Sequence, residues 1–428
     1  MRKTVATALA VVSAVSLVLS GCGGAKETAP TPPAVEQPTN PAPGPAPTQP
    51  TDPAKNNPPV TEPPKQPEPP KQPARQMPKQ VRGIMLSGWY AGSPDLYKPL
   101  LDWAKAAGIN TVVLDIKAED GKISWETDIP LAKEIGSNER KIGDIKALMA
   151  DLHERGFWVA GRIVTMNDQY LYRARKSETI PGFSGGAYSF MNPESKVVYD
   201  YNMAIAKAAV EAGVDEIQWD YIRYPYNKEA QPFMDANTTN ATRRAAILNF
   251  IKNSITELRA IKPEIKVSVD VFGLTTSVDE GDDMKIGQDY REIAEVADAI
   301  APMMYPSHYA AGTYGLANPN ASPYETIRHS MEDALRRTIG VPAEKHRPWI
   351  QDFHYDGVTY GPDKIMAQVQ ALREMGVAQF MLWDPSNKYT RGVKFEDVTV
   401  TVPKVEPFTK PKAPEAAGTA TPPASPKP

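Results

Sequence analysis

Residues 212–220 read Ala-Gly-Val-Asp-Glu-Ile-Gln-Trp-Asp, and how this stretch is parsed decides the fold. A glycine closes a helical pattern, as a left-handed residue just past a helix end does, and a short apolar strand ending in aspartate follows at once. The unit recurs, because Ala107-Gly108-Ile109 and Met375-Gly376-Val377 also precede strands that end in Asp. Gly156 closes a further helical pattern in the same way. The intervening segments place apolar residues three and four apart, as in Leu96, Leu100, Trp103 and Ala107, or Ile142, Ile145, Met149 and Leu152.

Working outward, short apolar runs predict strands at Gly83 to Trp89, Thr111 to Lys117, Trp158 to Val164, Glu216 to Ile222, Lys266 to Phe272, Ala299 to Tyr305, Pro348 to Phe353 and Gln379 to Trp383. Strands alternating with helices need a parallel sheet, and about eight of them fit a (β/α)8 TIM barrel, an α/β fold, as one domain over residues 80–402. An open doubly wound sheet would carry a glycine-rich phosphate turn after its first strand. Leu86-Ser87-Gly88-Trp89 is not such a turn.

The flanks differ in composition. Arg2 and Lys3, the apolar run Val5 to Leu19 and then Leu19-Ser20-Gly21-Cys22 resemble a bacterial lipoprotein signal. Residues 1–21 are therefore expected to be removed and Cys22 acylated, anchoring the protein to the outer face of the cell membrane. Residues 22–79 are Pro-rich and too poor in large apolar side chains to fold, and residues 403–428 are similar, so both are expected to be disordered. A formal net charge of −3, from 48 basic and 51 acidic residues, argues against binding nucleic acid by bulk charge. The single cysteine excludes an intrachain disulfide framework and any metal site built from several thiolates.

Barrel active sites lie at the C-terminal ends of the strands, and here those ends gather acidic residues: Asp115, Asp220, Asp270, Asp352 and Asp384. Strand alternation turns Asp220 inward with Gln218, and Asp270 inward with Ser268. It places Asp115 and Lys117 on one face, so that pair is expected to point into the mouth. On strands seven and eight the phase stays ambiguous. Two carboxyls across a glycosidic bond, one protonated and one ionised, are what glycoside hydrolysis requires. Trp89, Tyr90, Tyr221, Tyr224, Tyr305, Tyr309, Tyr355 and Trp383 crowd the same ends, where rings suit the C–H faces of sugars. About half of these rings are expected in the outer packing shell, Tyr221 foremost.

Asp220-Tyr221-Ile222-Arg223-Tyr224-Pro225, Arg82-Gly83-Ile84, Asp115-Ile116-Lys117 with Asp120-Gly121, Asp270-Val271-Phe272-Gly273, Met303-Met304-Tyr305-Pro306-Ser307-His308-Tyr309 and Gln351-Asp352-Phe353 together resemble a family of bacterial glycosyl hydrolase-like barrels. The resemblance implies a barrel distantly similar to α-amylase-like and α-galactosidase-like enzymes, in which a strand-four aspartate is the nucleophile. Asp220 matches that position. Strand five offers Asp270 where the amylase-like pattern has Glu, and strand seven offers Asp352. Asp352 or Glu119 could serve instead as acid/base. Arg223 follows the aspartate, whereas the amylase-like arginine precedes it.

The catalytic set is therefore Asp220, Asp270 and Asp352. Asp115, Lys117, Glu119, Trp89, Arg223, Tyr305, His308, His354, Trp383 and Asp384 are expected to hold a carbohydrate substrate, with no cofactor. Two other readings remain. Asp115, Asp220, Asp270, His308 and His354 could gather a divalent ion, although none of the 5 histidines falls in HxH, HxxxH or HExxH. The same residues could also bind glycan without cutting it.

Overall fold

A computed structural model describes residues 75–182, 189–226, 228, 230–279 and 281–408. Cys22, the signal segment and nearly all of the Pro-rich flanks lie outside the described residues.

Eight parallel strands close into a barrel in sequence order: β1 (Arg82–Leu86), β2 (Thr111–Lys117), β3 (Trp158–Val164), β4 (Glu216–Asp220), β5 (Lys266–Phe272), β6 (Ala299–Met303), β7 (Trp349–Gln351) and β8 (Phe380–Trp383). Helices including Pro94–Ala106, Ile145–Glu154, Lys196–Ala212, Asn240–Ile261, Pro323–Arg337 and Pro362–Glu374 form the outer layer. The glycine that closes Lys196–Ala212 does what its sequence suggests. Gly213 sits at φ 114°, and its N–H returns to the carbonyls of Ala209 and Val210.

Several strands stop sooner than their apolar runs. β1 gives way at Ser87, whose side chain accepts from Tyr90 N and caps a single helical turn. β4 ends at Asp220 because Tyr221 adopts φ 50°, which no strand accommodates. Both breaks release the chain at the rim, where loops carry side chains over the barrel mouth.

Alternation along β4 sorts two cores. Ile217 and Trp219 face outward, and the Trp219 indole donates to Ser254 Oγ and meets Phe250 edge-on at 5.3 Å. Inside lie Met85, Val113, Ala160, Ala301, Tyr305, Trp349 and Met381, a small apolar plug distinct from the large outer shell. The barrel is thus filled rather than hollow, and only its upper end is free for chemistry.

Its lower end is closed by charge. Glu216 accepts from Arg347 Nη1 at 2.7 Å, Ser268 Oγ at 2.5 Å and Trp158 Nε1 at 3.0 Å. Residues expected in the linker take part here. Met77 Sδ accepts from Arg347, and Arg75 donates to the carbonyl of Phe157. At the other terminus the chain after β8 runs as an extended strap, where Phe395 N bonds Ala107 O and Phe408 lies over the guanidinium of Arg336. Structured chain therefore extends beyond both expected borders of the domain.

Replacing Glu216 by Ala leaves the buried Arg347 without its anion, and such a loss costs about 3–5 kcal/mol. Urea unfolding of Glu216→Ala should show that decrease at an unchanged slope, and a change below about 1 kcal/mol would refute the closure described here.

Candidate active site at the barrel rim

The centre of the rim is Arg162, a residue that sequence reasoning passed over. It occupies the inward phase of β3, two residues above Ala160, and is 1% exposed. Its Nε and Nη2 both donate to Asp220 Oδ2, at 2.8 and 2.6 Å, while Nη1 donates to Asp115 Oδ1 at 2.6 Å. Nη2 also reaches Glu119 Oε1 at 2.5 Å. The flat guanidinium lies under the Trp383 ring, 5.1 Å from its centroid. A lone arginine at an inward position of an otherwise apolar strand was the available signal, since a buried charge must be matched.

Asp220 and Asp270 come together as the alternation predicts. Asp220 is 2% exposed, and its second oxygen accepts from Tyr221 N at 2.6 Å. Asp270, 1% exposed, receives Trp349 Nε1 on Oδ1 at 2.9 Å, while Oδ2 has no hydrogen-bond partner among the described residues. Burial, followed by the charge of Asp220, pushes the Asp270 carboxyl well above the usual range. Burial raises Asp115 to about 6 against the pull of Arg162. At Glu119 desolvation acts upward, but Arg162 outweighs it and holds this carboxylate low. Glu119 is also the open member of the cluster, with a side chain 42% exposed.

Lys117 does not face the mouth. The register between β2 and β3 shifts between Asp115 and Lys117, so the alternation slips and the lysine turns into the outer layer. There its Nζ donates to Asp168 Oδ2 and Asn202 Oδ1, each at 2.9 Å. Asp168 in turn caps the short helix Gln169–Ala174, so the pair fixes the loop after β3. Asn167 Nδ2 from that loop holds the Glu119 carbonyl at 3.2 Å.

On β7 the inward place goes to Trp349 and the following inward phase to Gln351, which turns Asp352 away from the Arg162 cluster. Its oxygens accept from Thr390 N and from Thr390 Oγ1, the latter at 2.5 Å. Asp384 serves its own turn, accepting from Ser386 N at 2.7 Å and Lys388 N at 3.1 Å. Arg223 is boxed by rings, with Phe272 at 4.4 Å, Phe190 at 4.8 Å and Tyr221 at 5.0 Å.

The aromatic residues of the rim divide between the inner cluster and the outer shell. Tyr305 and Trp383 belong to the inner cluster, while Tyr224 packs in the outer shell and buried Tyr309 bonds Ser330 there. Tyr221 packs partly against the outer shell. Exposed His308 meets the Tyr305 ring edge-on at 5.2 Å, and His354 Nδ1 accepts from Tyr360 N at 3.0 Å. Trp89, 64% exposed, stands on the turn after β1, with Lys141 Nζ 5.8 Å from its ring centroid. Among the described residues no three His, Cys, Asp or Glu side chains converge in a way that could hold a metal ion. A groove of about 710 Å³ lies on the flank beside Trp125, Arg140, Lys146 and Lys207, away from this chemistry.

The fold is thus a closed eight-stranded α/β barrel whose rim carries paired carboxyls. Residues 83–389 match the family described as "Putative glycosyl hydrolase domain", and the chain belongs to that family. No curated protein matches the sequence. Among solved structures, a hypothetical protein from Ruminiclostridium thermocellum is similar at 29% identity, over 44% of this chain and 97% of that one, with a TM-score of 0.37. The spore cortex-lytic enzyme SleL of Bacillus cereus is similar at 11% identity over 74% and 72%, with a TM-score of 0.43. An alpha-amylase from Lactobacillus plantarum is similar at 13% identity over 72% and 71%, with a TM-score of 0.45.

Burial raises the Asp352 carboxyl to about 7, more than the Thr390 hydrogen bonds lower it. An unfolded aspartate titrates near about 4, so ionisation favours the unfolded chain and stability falls as pH rises from about 4 to 7. Asp352→Asn should remove a drop on the order of 3–4 kcal/mol between pH 4 and pH 8. Thermal melts of both proteins across that range check this, and parallel curves would count against a buried, titrating Asp352.

Proposed function

We propose that the protein hydrolyses glycosidic bonds at this rim, with Asp220 as the anion and Asp270 as the proton donor. One observation carries the reading: Asp220 and Asp270 lie on neighbouring strand ends in unlike surroundings. Arg162 pairs with Asp220 twice, while burial beside Asp220 pushes the Asp270 carboxyl well above the usual range. Paired carboxyls whose environments drive them apart are the acid and base of such sites.

The chemistry follows from those surroundings. Asp270 gives its proton to the glycosidic oxygen as the bond from that oxygen to the anomeric carbon breaks. Positive charge growing on the carbon is stabilised by the Asp220 carboxylate, which Arg162 and Tyr221 N orient. Water then supplies a hydroxyl to the carbon and a proton to Asp270, restoring the starting state. Because Asp220 and Asp270 are both buried, a sugar must first displace rim groups. Glu119, half open on its loop, and Trp383 are placed to yield.

Asp220→Asn should abolish release of reducing ends from the cleaved members of a panel of wall and storage polysaccharides. Asp270→Asn should lower kcat by about 10²–10⁴ and remove the loss of activity at alkaline pH that Asp270 ionisation causes. Hydrolysis that survives Asp220→Asn would sink the assignment. The burial and full engagement of Asp220 favour a second reading, a barrel that binds glycan without cleaving it. Retention of glycan by the wild type with no reducing ends released from any polysaccharide would establish it.

Export and lipid anchoring are part of the same proposal, supported by Arg2, Lys3, the apolar run and Leu19-Ser20-Gly21-Cys22. That placement suits an extracellular or cell-wall polysaccharide. Labelling with a radioactive fatty acid in a bacterial host should mark the wild type and not Cys22→Ala. Equal labelling of the two would remove Cys22 as the anchor.

A further inference from the structure

Inside the barrel, at the level of Arg162 and above it, three buried polar atoms lack a hydrogen-bond partner among the described residues: Gln218 Oε1, Asp270 Oδ2 and the Tyr305 hydroxyl. Asp270 and Tyr305 are both buried, and the charge of Asp270 adds to burial in pushing the Tyr305 hydroxyl up. Leaving such atoms unsatisfied costs about 1–3 kcal/mol each, and a ligand hydroxyl between Asp270 and Tyr305 would relieve both. The walls are aromatic. Trp349 fixes Asp270 through its indole N–H, Trp383 stands edge-on to Trp349 at 5.3 Å, and Tyr305 lies 6.3 Å from Trp383.

We infer that, once rim groups yield, the position beside Asp220 bounded by Asp270, Tyr305, Trp349 and Trp383 receives a hydroxyl group of an uncharged sugar and turns away sugars that carry a carboxylate. This rests on the hydrolytic reading and adds the class of substrate. A protonated carboxyl and a phenol can each donate or accept, and so can the hydroxyl they would meet. Ring C–H faces suit the indole walls.

Charge supplies the exclusion. The cation of the cluster, Arg162, is already directed at three carboxylates, those of Asp115, Glu119 and Asp220. Lys117, which could have balanced a further anion, is turned outward and bound to Asp168. A uronate entering this position would therefore meet uncompensated negative charge in a dry setting, where repulsion is strong. A neutral hexose of the same shape would not.

The test uses matched 4-methylumbelliferyl glycosides that differ only at the sixth carbon: glucoside with glucuronide, and galactoside with galacturonide. Binding is followed by saturation-transfer NMR and hydrolysis by fluorescence, for the wild type and for Tyr305→Phe. The wild type should favour a neutral member over its uronide twin by at least about tenfold, which corresponds to 1.4 kcal/mol. Tyr305→Phe should weaken the neutral member by a similar factor and leave the uronide unchanged, a selective effect that general damage to the fold would not give. Preference for a uronide, equal treatment of both twins, no binding of either neutral sugar, or a Tyr305→Phe protein that binds the neutral sugar like wild type would overturn the inference. Neutral preference without hydrolysis would keep this inference and remove the hydrolytic reading, whereas cleavage of uronides would do the reverse.

Discussion

A guanidinium buried in a protein interior must find anions, and Arg162 finds three. Desolvating such a group costs several kcal/mol, and only close pairing with hydrogen bonds on every side makes its burial tolerable. The rest of the rim follows from that demand. Asp115 on β2 and Asp220 on β4 flank the arginine on β3, so three neighbouring strands are tied together at their upper ends. Glu119 closes the cluster from the loop. Asp270 next door makes no hydrogen bond to the arginine, and burial followed by the charge of Asp220 pushes its carboxyl well above the usual range. One buried cation thereby gives two adjacent carboxyls unlike surroundings.

The opposite end of the barrel solves a similar problem for a different purpose. Arg347 and Glu216 pair inside a ring of Trp158 and Ser268, sealed from below by Met77. There every oxygen of Glu216 is satisfied within the fold, which suits a structural plug. Arg347 nevertheless keeps its Nε unpartnered among the described residues, as Asp270 and Tyr305 keep polar atoms at the rim.

Between the two ends, local sequence and tertiary context contributed unequally. The strand count, the parallel order and the inward phase of Asp220 and Asp270 were legible, because a period of two and a closing glycine are properties of short segments. Lys117 was not, since a slip between β2 and β3 reverses the side on which it emerges. Asp352 and Asp384 lie at strand ends too short for alternation to place, and their carboxylates went to Thr390 and to a local turn. Arg162 stood in plain view on β3, yet its partners come from residues as far as 58 positions away.

Sequence alone determined the barrel, its eight strands and the acidic rim, because hydrophobic periodicity and helix-ending glycines act over a few residues. Tertiary structure alone decided which carboxyls meet Arg162 and which is buried beside them without that pairing. That outcome depends on burial and on distances between strands, and neither is written in any one segment of the chain.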